Sequence, residues 1–160
     1  AKARGYDHVP VEVLGTGAAA YEGATLANEF HGTKNAAAQV YELTGVAPDE
    51  VDLFLCNDFF LASEIVAAEE CGFIPRGEAW KYAIEGRTAY DGDKPINPHG
   101  GRCNFGHAHG ASGIADVYEA VKQLRGEAGE TQVRVNAKTA FLRGFGGGQN
   151  VRAQIIRAID

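Results

Sequence analysis

The sequence predicts a layered α/β domain built on a mixed β-sheet. Three observations carry that prediction. Short apolar runs of strand character alternate with amphipathic stretches of helical period, and glycines and prolines punctuate them. The last two strand-like runs are joined by a glycine-rich connection, as in a hairpin. At 160 residues the chain suits one domain, 1–160, with a core of its own.

Val9-Pro10-Val11-Glu12-Val13-Leu14-Gly15 alternates as a strand does, and its proline suits an edge or a strand start. Gly15-Thr16-Gly17 is expected to end it. Ala36, Val40 and Leu43 share one face of a helix over 33–45 that closes at Gly45. Val51 to Cys56 is a compact apolar run, expected as a strand buried on both faces. Leu61, Ile65 and Ala68 support a helix from about 59 to Cys71, stopped by Gly72 and capped by Asn57 or Asp58. The stretch from Pro75 to Arg102 is rich in Gly, Pro, Asp and Asn and reads as a long functional loop with one short helix near Trp80 to Ile84. A helix over Ala111 to Leu124 follows, with Ile114, Val117, Tyr118, Val121 and Leu124 as its apolar face. Val133 to Phe141 and Asn150 to Ile159 complete the sheet.

Composition narrows the function classes. With 45% hydrophobic and 22% charged residues, the balance is globular rather than disordered. A net charge of -6 without any Lys/Arg cluster argues against a nucleic-acid or anionic-membrane surface. No apolar stretch reaches the length of a membrane span or a secretion signal, so the cytoplasm is the expected location. Cys56, Cys71 and Cys103 are too few and too unevenly spaced for a disulfide framework, and reduced thiols are expected. The start at Ala1-Lys2-Ala3-Arg4, in a chain without methionine, raises the expectation of an upstream half.

Gly106-His107-Ala108-His109-Gly110-Ala111-Ser112-Gly113 is the most informative stretch. It places the His107 imidazole just ahead of a helix, where the partial positive charge favours the neutral ring that a general base needs. Two further corners are expected to meet it: Asn57-Asp58 after a strand, and Gly146-Gly147-Gly148 between two strands. In open α/β sheets such ends converge on a crevice. Asn57 either fixes a water or donates to a developing oxyanion, or it only caps the next helix. The triple glycine offers N–H groups to an anionic oxygen or is a tight turn, and it lacks the Lys-Ser/Thr of a phosphate loop. His99, Cys103, His107 and His109 form His-x3-Cys-x3-His-x-His, an alternative set of zinc ligands.

These segments carry a family resemblance. Asn57-Asp58-Phe59-Phe60 resembles the Asn-Glu-Ala-Phe corner of thiolases. Asn97-Pro98-His99-Gly100-Gly101, followed by Gly106 to Gly113, resembles their Asn-x-x-Gly-Gly and Gly-His-Pro-x-Gly-Ala-Ser/Thr-Gly segments. Gln123-Leu124-Arg125-Gly126-Glu127-Ala128-Gly129 is similar to a stretch of the lipid-transfer (sterol carrier protein-type) branch, and Phe145-Gly146-Gly147-Gly148 to the closing glycine loop. The resemblance runs from about Val9 to the end and covers the family's C-terminal half, without the half that holds the nucleophilic cysteine.

The resemblance implies a thiolase-like C-terminal domain acting on a coenzyme A thioester, with no permanently bound cofactor. His107 would activate the nucleophile and, with a water held by Asn57, stabilise a thioester oxyanion or enolate. Gly146 would contribute N–H groups to a second oxyanion hole. It also implies partners: an N-terminal half or companion subunit, an oligomer, and a small zinc-containing acyl-CoA-binding protein. The alternative is an interaction subunit of this fold without chemistry. The departures are specific. Phe59 and Gly144 stand where thiolases place an acid/base cysteine, Ala108 replaces the proline, and Arg143-Gly144 replaces His-Asn. Cys103 and His109 are the candidate replacements for the acid/base, Cys103 through a thiolate favoured by the helix terminus.

Overall fold

A computed structural model describes residues 5, 7–20, 26–146 and 150–159. In chain order it contains β1 (Val11–Ala20), α1 (Leu26–Thr44), β2 (Leu53–Cys56), α2 (Leu61–Glu70), α3 (Ala79–Ile84), α4 (Gly101–Phe105), α5 (Ser112–Arg125), β3 (Thr139–Gly146) and β4 (Asn150–Ala158). The strands form one sheet in the order β1-β4-β3-β2. β4 runs antiparallel to both neighbours and β2 parallel to β3, so the sheet is mixed as expected.

The parallel pair needs a long crossover, and α2 to α5 supply it. Helices cover both faces of the sheet. Ala36, Val40, Ala67 and Ala68 of α1 and α2 pack with Phe54, Phe141, Val151 and Ile155 on one face. Ala120 and Leu124 of α5 pack with Leu53, Leu55, Leu142 and Ile156 on the other. Every residue of β2 is buried, as the unbroken apolar run requires. Although β2 is last in the sheet, the backbone of Pro95 to Asn97 lies along it: Phe54 N–H donates to Pro95 O (3.1 Å) and Asn97 N–H to Phe54 O (3.0 Å). The expected long loop therefore protects a sheet edge.

Four expectations are corrected. β1 does not stop at Gly15-Thr16-Gly17 but continues to Ala20, with a register irregularity between Val13 and Gly15. Gly17 is there for close approach, since a Cβ would lie 2.2 Å from the Ala36 carbonyl oxygen. β3 begins at Thr139 rather than Val133, because Val133 and Ala137 are packed beside α5, and the Asp52 carboxylate accepts the N–H groups of Lys138 (2.8 Å) and Thr139 (3.0 Å) where pairing starts. The strand then runs on to Gly146, and Gly147, Gly148 and Gln149 lie outside the described residues. α4 takes in Gly101 and Arg102, the last two residues of the stretch read as loop.

The fourth concerns α5. Ile114 and Tyr118, expected in the core, are 71% and 66% exposed, while Asp116, Glu119 and Gln123 are buried. The inward polar groups are satisfied. Gln123 Nε2 donates to Glu119 (2.9 Å) and to Thr131 O (2.8 Å), and its Oε1 accepts from Val133 N–H (2.9 Å). No described helix is long and apolar enough to cross a membrane.

Candidate functional site

β2 ends at Cys56, and the chain turns into Asn57 and Asp58, both buried. Neither caps α2, whose N-cap is Phe60 without a side-chain bond. Instead Phe59 N–H donates to Asn57 Oδ1 (3.3 Å), which turns the amide nitrogen toward the His107 ring. Asn57 Nδ2 then donates to His107 Nδ1 across 3.3 Å. Ser112 Oγ, on the first turn of α5, lies 2.9 Å from the same nitrogen. With Nδ1 as the acceptor, this pattern assigns the ring proton to Nε2.

Asp58 serves a different helix. Its carboxylate accepts the backbone N–H groups of Arg102 and Cys103 in α4, and a Cβ on Gly101 would collide with it. Phe59 lies between His107 (centroids 5.5 Å apart) and Phe145 of β3 (5.8 Å), stacked on both. Phe59, one of the two positions at which the resemblance places an acid/base cysteine, is thus an aromatic spacer.

Asn57, His107, Ser112, Asp116, Gly146 and Arg152 share the wall of a cavity of about 350 Å³ between the start of α5 and the ends of β3 and β4. Gly147 and Gly148 lie outside the described residues, but Asn57, His107 and Gly146, one residue from each corner picked out in the sequence, do meet. Ser112, Asp116 and Arg152 were not singled out there. The sequence carried no signal for Asp116, because the apolar stripe through Ile114 and Tyr118 points to a different inward face of α5.

The other candidates stand elsewhere. Cys103 Sγ donates to Asp58 O (2.9 Å) and does not line the cavity. Desolvation and the neighbouring Asp58 push its thiol up, opposite to the thiolate that a helix terminus would favour. His109 meets His107 only edge-on, with centroids 5.1 Å apart. His99 turns to Arg102 Nη2 (3.2 Å) and to the ring of Phe105, so the four-residue zinc set is not assembled, and no group of three such ligands occurs among the described residues.

The family model for "Thiolase C-terminal domain-like" matches residues 16–158. The chain belongs to the thiolase family. It is similar to an acetyl-CoA acetyltransferase of Methanothermobacter thermautotrophicus, 38% identical over 152 residues that cover 91% of this chain and 39% of the relative. Sterol carrier protein 2 of Bos taurus is 38% identical over 117 residues, covering 73% of this chain and 21% of that protein. The benzoylsuccinyl-CoA thiolase subunit BbsB of Thauera aromatica is 33% identical over 120 residues, covering 75% and 31%. A solved Ltp2-ChsH2(DUF35) aldolase superposes with a TM-score of 0.79 at 24% identity, over 98% of this chain and 42% of that one, and shows the fold. This thiolase domain therefore spans about two fifths or less of the relatives it matches.

Proposed function

We propose that residues 1–160 are the C-terminal domain of an enzyme that forms or cleaves a carbon–carbon bond beside a coenzyme A thioester. The observation that carries the reading is the Asn57 Nδ2 to His107 Nδ1 contact of 3.3 Å in a cavity wall shared with Gly146. Thiolysis, Claisen condensation and aldolase-type cleavage all pass through negative charge on a thioester oxygen. His107 Nε2–H, oriented by Asn57 and Ser112 through the opposite nitrogen, is a preorganised donor for that oxygen. Such a donor is worth roughly 3 to 4 kcal/mol in the transition state. Gly146 backbone is the second donor, and coenzyme A thioester is substrate rather than resident cofactor.

In this reading the nucleophilic cysteine comes from an N-terminal half or companion subunit. The exposed Ile114 and Tyr118 of α5, with exposed Phe105 of α4, support a protein surface there. The structural neighbour carries two protein names, Ltp2 and ChsH2(DUF35), which supports a further protein partner, and the family resemblance implies that this partner is a small zinc-containing acyl-CoA-binding protein. The alternative, a subunit of the same fold without chemistry, draws support from Phe59 and Gly144, neither of which transfers protons.

The experiment uses the full-length protein or assembly. Incubation with acyl-CoA followed by mass spectrometry is expected to show a covalent acyl adduct on a cysteine outside this domain, and His107→Ala to lower kcat/KM by about 100- to 1000-fold. Absence of any adduct sinks the covalent reading. Unchanged turnover in His107→Ala establishes the alternative.

A further inference from the structure

Asn150, Arg152 and Gln154 lie on one face of β4, by the two-residue period of a strand. Opposite them in register stand Gly146, Gly144 and Leu142 of β3. The glycines leave a trough between the strands and the first turns of α5. It continues the main cavity into a second space of about 100 Å³, lined by Gly113, Asp116, Val117, Gly144, Arg152 and Gln154 among others. A Cβ on Gly144 would find only the Arg152 Cβ, at 3.8 Å, so packing does not demand a glycine there. Its effect is open space.

The charges along the trough do not cancel. Asp116 is neutralised by Arg102, whose Nη2 lies 2.6 Å from its Oδ1. Arg152 is exposed and makes no ion pair among the described residues, where its one hydrogen bond runs from Nη1 to Val151 O at 3.3 Å. One guanidinium fork is thus available to an incoming group. Arg152 pairs with Gly144, two residues along β3 from Gly146, a displacement of roughly 7 Å. A thioester carbonyl held near His107 and Gly146 would send a short acyl chain toward it.

We propose that Arg152 is a specificity residue of this site, and that the trough takes an acyl group bearing a distal carboxylate. The inference rests on the thioester reading above. Carboxylate and coenzyme A phosphate share the chemistry that a guanidinium binds, so the test separates them. Equilibrium binding is measured on the full-length protein or assembly with two unreactive thioethers of matched length, S-(3-carboxypropyl) and S-pentyl, each on coenzyme A and on pantetheine.

The wild type is expected to favour the carboxylated ligand on both carriers by about tenfold or more, the size of one charge-assisted bond. Arg152→Ala and Arg152→Gln lose that preference with S-pentyl binding within about twofold of wild type. His107→Ala keeps it. Thermal melts confirm that both Arg152 variants fold. Retention of the preference in Arg152→Ala, or no preference in the wild type, overturns the proposal. So does an equal loss for both thioethers on coenzyme A with none on pantetheine, which assigns Arg152 to the carrier phosphates. If none of the four ligands binds the wild type, the thioester reading itself fails and this inference falls with it.

Discussion

Arg102 Nη2 donates to Asp116 Oδ1 across 2.6 Å, with the two side chains only 6% and 5% exposed. The pair joins α4 to α5 and closes the loop that carries His107. The same arginine's backbone N–H is held by the Asp58 carboxylate, next to Asn57. The chain on either side of the His107–Asn57 contact thus depends on one buried clasp. His99 Nε2 lies 3.2 Å from the same guanidinium nitrogen, and no partner among the described residues meets Arg102 Nε.

Removing one member of such a pair strands a buried charge. Arg102→Leu is expected to destabilise the fold by about 3 to 5 kcal/mol, read from the urea midpoint. The double variant Arg102→Leu/Asp116→Leu should recover most of that loss, because neither charge is then buried alone. A double variant no more stable than Arg102→Leu would show that the pair is not the source.

The clasp also sets a pH dependence. Burial pushes the Asp116 carboxyl up to about 6, against the pull of Arg102 and with the help of Asp58. The folded chain therefore holds this proton more tightly than the unfolded one. The contribution is fully present below about pH 4 and is lost as pH rises through about 6. His99, which burial drives the other way, works against it. The readout is the denaturation midpoint of wild type minus that of Asp116→Asn from pH 4 to 7, expected to fall as pH rises. Parallel curves would contradict the shift.

The sheet was legible because its strands carry the apolar runs: Leu53 to Cys56 and Val151 to Ala158 appear where periodicity puts them. The corners were legible because Asn57, His107 and Gly146 belong to motifs that glycine and helix chemistry make conspicuous. What failed were inferences from side-chain polarity. α5 turns Asp116 and Gln123 inward and Ile114 outward, which no 3.6-residue count predicts when the buried polar groups find partners from other segments. Gly17 looked like a turn because a close helix contact and a bend both ask for a glycine. Cys103 looked activated because its position before His107 says nothing of Asp58 O, the acceptor of its proton.

Cys103 should be the slow thiol of an accessible site. It is exposed, unlike Cys56 and Cys71. Since desolvation and Asp58 hold its proton on, alkylation by iodoacetamide is expected to accelerate only above the ordinary cysteine value of about 8.5, and Cys103→Ser to leave thioester turnover within about twofold. Rapid labelling at pH 7 would restore the thiolate expectation.

The His107 tautomer is open to direct measurement. Asn57 Nδ2, which can only donate, meets Nδ1, with Ser112 Oγ 2.9 Å from the same nitrogen, so ¹⁵N resonances of labelled imidazole should report a proton on Nε2 in the wild type. Ser112→Ala removes one of the two contacts together with the Ser112 bonds to Ala108 N (3.1 Å) and Ala108 O (3.0 Å). It is expected to shift the resonances toward a tautomer mixture and to lower kcat/KM about tenfold, mainly through kcat, with Ser112→Thr restoring both. A purely structural role for Ser112 would lower stability while leaving the ring's ¹⁵N pattern unchanged, so a wild-type tautomer in a folded Ser112→Ala protein would remove Ser112 from the positioning of His107.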